Sequence, residues 1–213
     1  MNLGSHKDPL VTEEMQKRTE AIRESILYNF GLDDEFIRDE CEAFDFEKFD
    51  AEKIHYGMSK LLTDHNALGC AANQVGWNSK FFCFGDPKDP NTHVTVFNPN
   101  IVDYFGDSVY YVEGCLSFPG LSVKIKRPEN IRARFSTWDG KTDTLQFNGM
   151  SARVFQHEYD HMFGVTMHRR ANNIHLDSAK RKEKKWLRLN RKRSKDSSLL
   201  KHSASSNEGG SND

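Results

Sequence analysis

The sequence predicts an α+β domain in which several strands lie between helices. Short apolar and β-branched runs recur between residues 81 and 148, separated by glycine, proline and aspartate. Apolar residues recur at helical spacing both before and after these runs. The chain has 213 residues, and it suits one domain with roughly 150 to 170 ordered residues, ample to bury a core.

The first 56 residues predict a helical and acidic extension that packs on the domain. An amphipathic helix is expected over residues 12–30, ended by Gly31. The acidic stretch 33–52 is too aromatic for pure disorder, since it carries Phe36, Ile37, Phe44, Phe46 and Phe49. A partly buried insertion and a regulatory or partner-binding segment both fit these residues.

A second helix is expected over residues 54–63, followed by a glycine-rich segment and then by strands. The strands are predicted at residues 81–84, 94–97, 100–104, 109–112, 121–126, 131–138 and 144–148. Together with the later helices they make up a predicted domain over residues 57–172.

The segment Gln156-His157-Glu158-Tyr159-Asp160-His161 predicts a hydrolytic metal centre. Residues four apart lie on one face of a helix, so both imidazoles can reach one cation. The intervening carboxylate can then take a proton from a water at that cation.

The third ligand is not obvious from the residues after His161. An extended zinc-protease pattern would place a histidine where Met167 stands, and His168 comes one residue too late. His168 is therefore expected at the surface, beside Arg169 and Arg170. Among the four cysteines, Cys115 is the best candidate because glycine and proline flank it and break regular structure.

Three motif blocks resemble the peptide deformylase family. They are Gly69-Cys70-Ala71-Ala72-Asn73-Gln74, Glu113-Gly114-Cys115-Leu116-Ser117 and Gln156-His157-Glu158-Tyr159-Asp160-His161, in that order. The similarity extends over residues 58–170. It implies mostly antiparallel sheets packed around a central metal-binding helix, with flanking amino- and carboxy-terminal helices.

The resemblance implies a metallohydrolase that removes the formyl group from the initiator formyl-methionine of nascent polypeptides and releases formate. Cys115, His157 and His161 would bind one divalent metal, with Fe(II) preferred and Zn(II), Ni(II) or Co(II) possible. Glu158 would be the general base. The Gln74 side-chain amide and the Leu116 backbone N–H would stabilise the oxyanion.

The resemblance also implies how a peptide binds. The peptide would lie along the backbone of Leu68 and Gly69. The expected substrate-binding side chains are Tyr111, Glu113, Met150, Arg153 and Val154. Arg127 and Asp160 are expected to support the site, with Glu113 and Arg127 forming a pair that braces the loop around Cys115. Arg153 either pairs with Glu113 or Asp160 or makes an ordinary ion pair on the helix surface.

Two positions depart from the family pattern. Ala67 stands where a glycine is usual, which predicts backbone strain if that position needs a positive φ. Ser122 stands where an arginine is usual, which predicts a lost charged contact to the peptide beyond methionine.

Charge is concentrated near the carboxy terminus. Residues 169–195 carry twelve lysines and arginines against Asp177 and Glu183, whereas the whole chain has a net charge of −1. A basic helix over residues 173–194 either contacts ribosomal RNA or only solubilises the protein. Residues 195–213 are expected to be disordered.

The cysteine pattern and the lack of an apolar leader predict a cytoplasmic protein, with neither membrane nor DNA as a partner. Two other functions remain open at this point. A zinc endopeptidase would not need Cys115 as a metal ligand. A catalytically silent ribosome- or RNA-binding protein would require that Ala67 or Ser122 has inactivated the site.

Overall fold

A five-stranded antiparallel sheet with its strands in chain order forms the frame of the protein. The computed structural model describes residues 35–205, so the helix predicted over residues 12–30 lies outside it. The strands are β1 (Gly69–Ala71), β2 (Phe81–Phe84), β3 (Val94–Gly114), β4 (Ser122–Ser136) and β5 (Thr142–Asn148). The α-helices are α1 (Ala51–His65), α2 (Gly149–Met162), α3 (Met167–Arg170) and α4 (Asn173–Ser205). Short 3-10 helices cover Glu35–Arg38, Ala72–Val75 and Pro90–Thr92. The predicted α+β class is confirmed.

The prediction of seven separate strands between residues 81 and 148 is wrong, because several predicted breaks are irregularities inside long strands. The pairing of β3 with β4 shifts register between Phe97 and Asn100 and between Phe105 and Ser108. Such bulges bend a strand without ending it. Pro128 of β4 pairs with Ser108 of β3. The pairing of β4 with β5 begins only at Asn130, so β5 does not reach Pro128. A proline is tolerated there because that part of β4 has a single neighbour.

Helix α1 is longer than predicted and crosses the expected domain boundary. The Asp50 carboxylate accepts a hydrogen bond from the Lys53 backbone N–H at 3.2 Å and caps the helix, which begins at Ala51, three residues before the predicted start. The predicted boundary between residues 56 and 57 therefore falls inside a continuous helix. Ile37, Cys41 and Phe44 are also buried, so apolar residues of the acidic segment are part of the core.

Helix α1 ends at Asn66, which adopts the left-handed conformation with φ of 51°. Among non-glycine residues in the described range, only Asn66 and Asn98 have positive φ. The strain expected at Ala67 is therefore absent, because its neighbour makes the turn.

The carboxy-terminal helix continues past its predicted end. Helix α4 runs to Ser205, so the disorder predicted from residue 195 is wrong for residues 195–205, and residues 206–213 lie outside the described range. No glycine or proline interrupts residues 173–205, which removes the usual signal for a break. No described helix has the length and apolar character needed to cross a membrane.

Helix α2 packs its apolar face against the sheet. Ala152, Phe155 and Met162 are buried in one cluster with Phe82 from β2 and Ile131 from β4. This packing leaves the opposite side of α2, which carries the histidines, turned toward the loop between β3 and β4.

Candidate metal centre and peptide cavity

One helix and one loop bring the predicted metal ligands together. His157 and His161 lie one turn apart on α2, and Cys115 follows the end of β3 in a loop over residues 115–121 that we call the cysteine loop. The His161 Nε2 atom lies 3.3 Å from His157 Nε2 and 3.3 Å from Cys115 Sγ. The three donor atoms all lie within 4.8 Å of one another.

This arrangement fits a tetrahedral metal ion. Zinc–nitrogen bonds of about 2.0–2.1 Å and a zinc–sulfur bond of about 2.3 Å place tetrahedral ligand atoms roughly 3.3–3.6 Å apart. Both His161 contacts are close to that range. Three protein ligands leave a fourth position for water or substrate, which is the arrangement of catalytic rather than structural sites.

Glu113 orients the first histidine ligand. Its carboxylate accepts from His157 Nδ1 at 3.0 Å, which leaves the Nε2 lone pair of His157 directed at the other ligands. Arg127 donates to both carboxylate oxygens of Glu113, at 2.8 and 3.0 Å. Burial opposes ionisation of Glu113, but the hydrogen bonds from His157 and Arg127 hold its pKa well below the usual range.

Arg127 also joins Glu113 to helix α2. Its Nη1 atom donates to Asp160 Oδ2 at 2.7 Å, and Arg170 of α3 donates to both oxygens of the same carboxylate. Arg127, Glu113 and Asp160 are each less than 7% exposed. The expected contact between Arg127 and Glu113 is thus present, within a network that ties β3 and β4 to α2 and α3.

Arg153 belongs to the same network and not to the helix surface. It is buried, and its Nη1 atom donates to Glu113 Oε1 at 2.8 Å. Its Nη2 atom donates to the Val109 carbonyl oxygen at 2.9 Å, and the guanidinium lies 5.6 Å from the centre of the Tyr111 ring. Of the alternatives left open by the sequence, pairing with Glu113 is the one observed.

Glu158 is buried beside the ligands without a protein partner for one oxygen. It is 3% exposed, and among the described residues nothing hydrogen-bonds to Oε2. Burial raises the pKa of Glu158 to about 7. A carboxylate in this state can exchange a proton with a molecule bound in the cavity.

Gly69 allows β1 to approach helix α2 closely. A Cβ atom at this position would lie 2.6 Å from Glu158 Oε1 and 2.8 Å from Val154 Cγ1. The glycine therefore sets the distance between the strand and the Glu158 carboxylate.

Replacing Gly69 by alanine is expected to displace Glu158 and to lower turnover roughly 10- to 100-fold, since small misplacements of reacting groups are costly. Metal content measured beside turnover separates this effect from ligand loss, which would remove both. Gly69 is not among the glycines with positive φ, so an alanine there adds the steric contact without left-handed backbone strain. Wild-type turnover in Gly69→Ala would contradict the steric account.

Gln74 lies against Cys115 and lines the same cavity as Glu158. Its Oε1 atom accepts from the Ala71 backbone N–H at 2.7 Å, which fixes the amide orientation. Its Nε2 atom then donates to Ser117 Oγ at 3.1 Å and to Cys115 Sγ at 3.3 Å. Ser117 is a partner that the sequence did not predict, although it stands in the same motif block as Cys115.

A cavity of about 550 Å³ opens over these groups. Every predicted substrate-binding residue lines it, together with Gln74, Leu116 and Glu158. Lining residues that the sequence missed include His65, Asn66, Val112, Gly114 and Pro119. Ser122 is absent from the lining and opens β4 opposite Gly114.

His168 is half-buried and not fully at the surface as predicted, and it is not among the candidate metal ligands. Its ring packs edge-on against Phe118 with 4.8 Å between ring centres. Neither ring nitrogen has a hydrogen-bond partner among the described residues. Met167 before it is buried, which turns this segment inward.

Comparison with known proteins gives matches to one family. The family model for polypeptide deformylase matches residues 30–177. A peptide deformylase of Cytophaga hutchinsonii is 40% identical over 130 residues, covering 58% of this chain and 71% of the relative. The chloroplastic/mitochondrial peptide deformylase 1B of Arabidopsis thaliana is 29% identical over 147 residues, which cover 68% of this chain and 54% of that relative.

A solved structure shows the same similarity in three dimensions. The peptide deformylase of Synechococcus elongatus, crystallised with actinonin, superposes with a TM-score of 0.65 at 29% identity. The match covers 70% of this chain and 82% of the other.

Proposed function

The chain belongs to the peptide deformylase family, and from this premise we propose that it removes the N-formyl group of formyl-methionyl nascent polypeptides and releases formate. The observation that carries the proposal is the convergence of Cys115, His157 and His161 on one point, in a cavity that also holds Glu158 and Gln74. The family consists of enzymes, which sets aside the catalytically silent RNA-binding alternative.

Cys115, His157 and His161 are the proposed ligands of one divalent metal, and Fe(II) is the metal we propose. A thiolate with two imidazoles suits ferrous iron and equally accommodates zinc, nickel or cobalt. When bound, the ion would lower the pKa of a water molecule and polarise the formyl carbonyl.

Glu158 is the proposed general base and acid. Its buried carboxylate has an oxygen without a protein partner among the described residues, so that oxygen is available to take a proton from the attacking water. The same proton then passes to the amine that leaves when the formyl C–N bond breaks. Formate and a free amino terminus result.

Gln74 and Leu116 are the proposed donors to the oxyanion that develops on the formyl group. The Ala71 contact orients the Gln74 amide so that its NH₂ group faces Cys115, beside the proposed metal position. Leu116 lines the same cavity one residue further along the cysteine loop. Donors held in advance of the reaction cost no reorganisation when charge develops.

Replacing Gln74 by alanine is expected to reduce turnover about 100- to 1000-fold while metal remains bound, as for loss of other oxyanion donors. Because Gln74 also holds Ala71, a Gln74→Glu variant is the matched control: it keeps the acceptor for the Ala71 N–H and removes the amide donor. Turnover near that of the wild type in either variant would exclude Gln74 from the reaction.

The peptide is proposed to lie along Leu68 and Gly69, with the methionine side chain between Tyr111, Met150, Val154 and the aliphatic stem of Arg153. These residues line one cavity, and Arg153 is fixed by Glu113 and the Val109 carbonyl. The charged end of Arg153 is thus satisfied within the protein, which leaves its carbon chain for apolar contact.

Product analysis with formyl-Met-Ala-Ser tests the function against the endopeptidase alternative. Anaerobically purified, iron-loaded protein is expected to give formate and Met-Ala-Ser in equal amounts. Formyl-Met and Ala-Ser would instead be the products of a peptidase. The structure supports the first outcome, because the candidate ligand group among the described residues is Cys115, His157 and His161, without His168.

The basic segment 169–195 is proposed to contact ribosomal RNA near the emerging chain. Lys184, Lys185 and Arg188 are exposed on α4 and available to phosphates. Glutamate at these three positions is expected to abolish co-sedimentation with ribosomes at low salt, whereas unchanged co-sedimentation would favour a merely solubilising face. The cytoplasmic location stays a prediction.

A further inference from the structure

The cysteine loop contains a tight turn that depends on glycine. The Leu121 backbone N–H donates to the Phe118 carbonyl oxygen at 3.1 Å, which closes a turn around Pro119 and Gly120. Gly120 has φ of +85°, and proline followed by such a glycine is typical of a type II turn. Pro119 lines the peptide cavity, so the turn forms part of its wall.

The indole of Trp186 covers this turn from helix α4. A Cβ atom at Gly120 would lie 2.5 Å from Trp186 Cε3 and 2.7 Å from Cδ2, so the ring rests directly on the glycine backbone. Trp186 is 42% exposed, which means that one side of the ring contacts protein and the other contacts solvent. Only glycine permits this contact, because any side chain would push the indole away.

The inner side of the cysteine loop is held by the core. Phe118 and Leu121 are buried in one cluster with Ile125 of β4, Met167 of α3 and Ala179 of α4. Ala179 and Trp186 are seven residues apart, two turns along the same side of α4. Helix α4 therefore holds the loop at both its inner residues and its outer glycine.

From these contacts we propose that Trp186 is a positioning residue for peptide binding, an inference that rests on the proposed function. By clamping Gly120 it fixes Pro119 in the cavity wall. Pro119 is not among the residues proposed to surround the methionine side chain. The contact that Trp186 stabilises is therefore expected to act on the peptide residues that follow methionine. Trp186 touches neither the reacting atoms nor the metal ligands.

Steady-state kinetics of iron-loaded Trp186→Ala, Trp186→Phe and Leu189→Ala test the proposal. Leu189 is the matched control, because it is an exposed apolar residue on the same helix. Trp186→Ala is expected to raise KM for formyl-Met-Ala-Ser about fivefold or more with kcat within about twofold, the pattern of lost uniform binding. The expected rise for formyl-Met alone is smaller, and Trp186→Phe should recover part of the loss.

A KM for Trp186→Ala equal to that of Leu189→Ala, for both substrates, would overturn the proposal. Equal increases for formyl-Met and formyl-Met-Ala-Ser would overturn it as well, since they would indicate a general loss of structure.

A binding measurement keeps the proposal testable if Trp186→Ala does not fold. In an iron-loaded Glu158→Gln background, where turnover is slow, Trp186→Phe should weaken binding of formyl-Met-Ala-Ser in calorimetry, whereas Leu189→Ala should not. Equal affinities for the Trp186→Phe and Leu189→Ala proteins would contradict the proposal. Failure of the wild type to release formate would instead contradict the proposed function, and the binding result would still decide the role of Trp186.

Discussion

Replacing Glu158 by glutamine is expected to lower formate release about 100- to 10,000-fold, the usual contribution of a general acid–base group. Glutamine keeps the shape of the side chain but cannot accept the proton of the attacking water. The ligands Cys115, His157 and His161 are untouched, so the variant should bind as much iron as the wild type. Turnover of formyl-Met-Ala-Ser and metal content are measured on the same anaerobic preparation.

A Glu129→Gln variant is the control, because Glu129 is an exposed carboxylate on β4. It should behave as the wild type in both measurements. Wild-type turnover in Glu158→Gln would show that another group moves the proton. Loss of metal from this variant would assign Glu158 a role in holding the ligand helix.

Replacing Arg127 by methionine is expected to destabilise the fold by about 3–5 kcal/mol, the usual cost of removing one partner from a buried ion pair. The carboxylates of Glu113 and Asp160 would stay buried after losing the cation that bridges them at 2.8 and 2.7 Å. Because Glu113 also orients His157, weaker metal binding should accompany the loss of stability.

Urea unfolding of the metal-free proteins measures this change in the free energy of unfolding. Arg132→Met is a matched control on the same strand: Arg132 lies 3.7 Å from Asp103, and both side chains are more than half exposed. An exposed pair of this kind contributes about 0–1 kcal/mol. Similar unfolding free energies for the two variants would contradict the structural role given to the buried network.

The parts of the site that depend on local spacing could be predicted from the sequence. His157 and His161 lie together because they are one helical turn apart, and Glu158 stands between them. Cys115 could be singled out because glycine and proline flank it, and the family resemblance then named Gln74.

Contacts that depend on strand register could not be predicted from local spacing: the Arg127–Glu113 pair came from the family resemblance, and the partner of Arg153 was left open. Arg153 reaches Glu113 only because β3 and β4 pair so that Glu113 lies opposite Val123, which brings the carboxylate under α2. The bulges that merge the predicted strands are set by the same long-range pairing. The hydrogen bond from Gln74 to Ser117 is another long-range contact, since it joins residues 43 positions apart.

Burial of the acidic segment was also hard to predict in detail. Ile37, Cys41 and Phe44 belong to three different core clusters, which meet only in the folded protein. Composition indicated that the segment packs somewhere, but it could not show that the core extends across the predicted boundary at residue 56. The contact of Trp186 with Gly120 likewise requires the final path of α4.

Titration of metal-free protein with Fe(II) under anaerobic conditions, followed by formate release from formyl-Met-Ala-Ser, tests the central claim most directly. Formate release should rise in proportion to added iron and level off at one ion per chain. Cys115→Ala should bind iron weakly and release little formate at any iron concentration. Formate release by the metal-free wild type, or wild-type release by Cys115→Ala at equal iron, would contradict the three-ligand site.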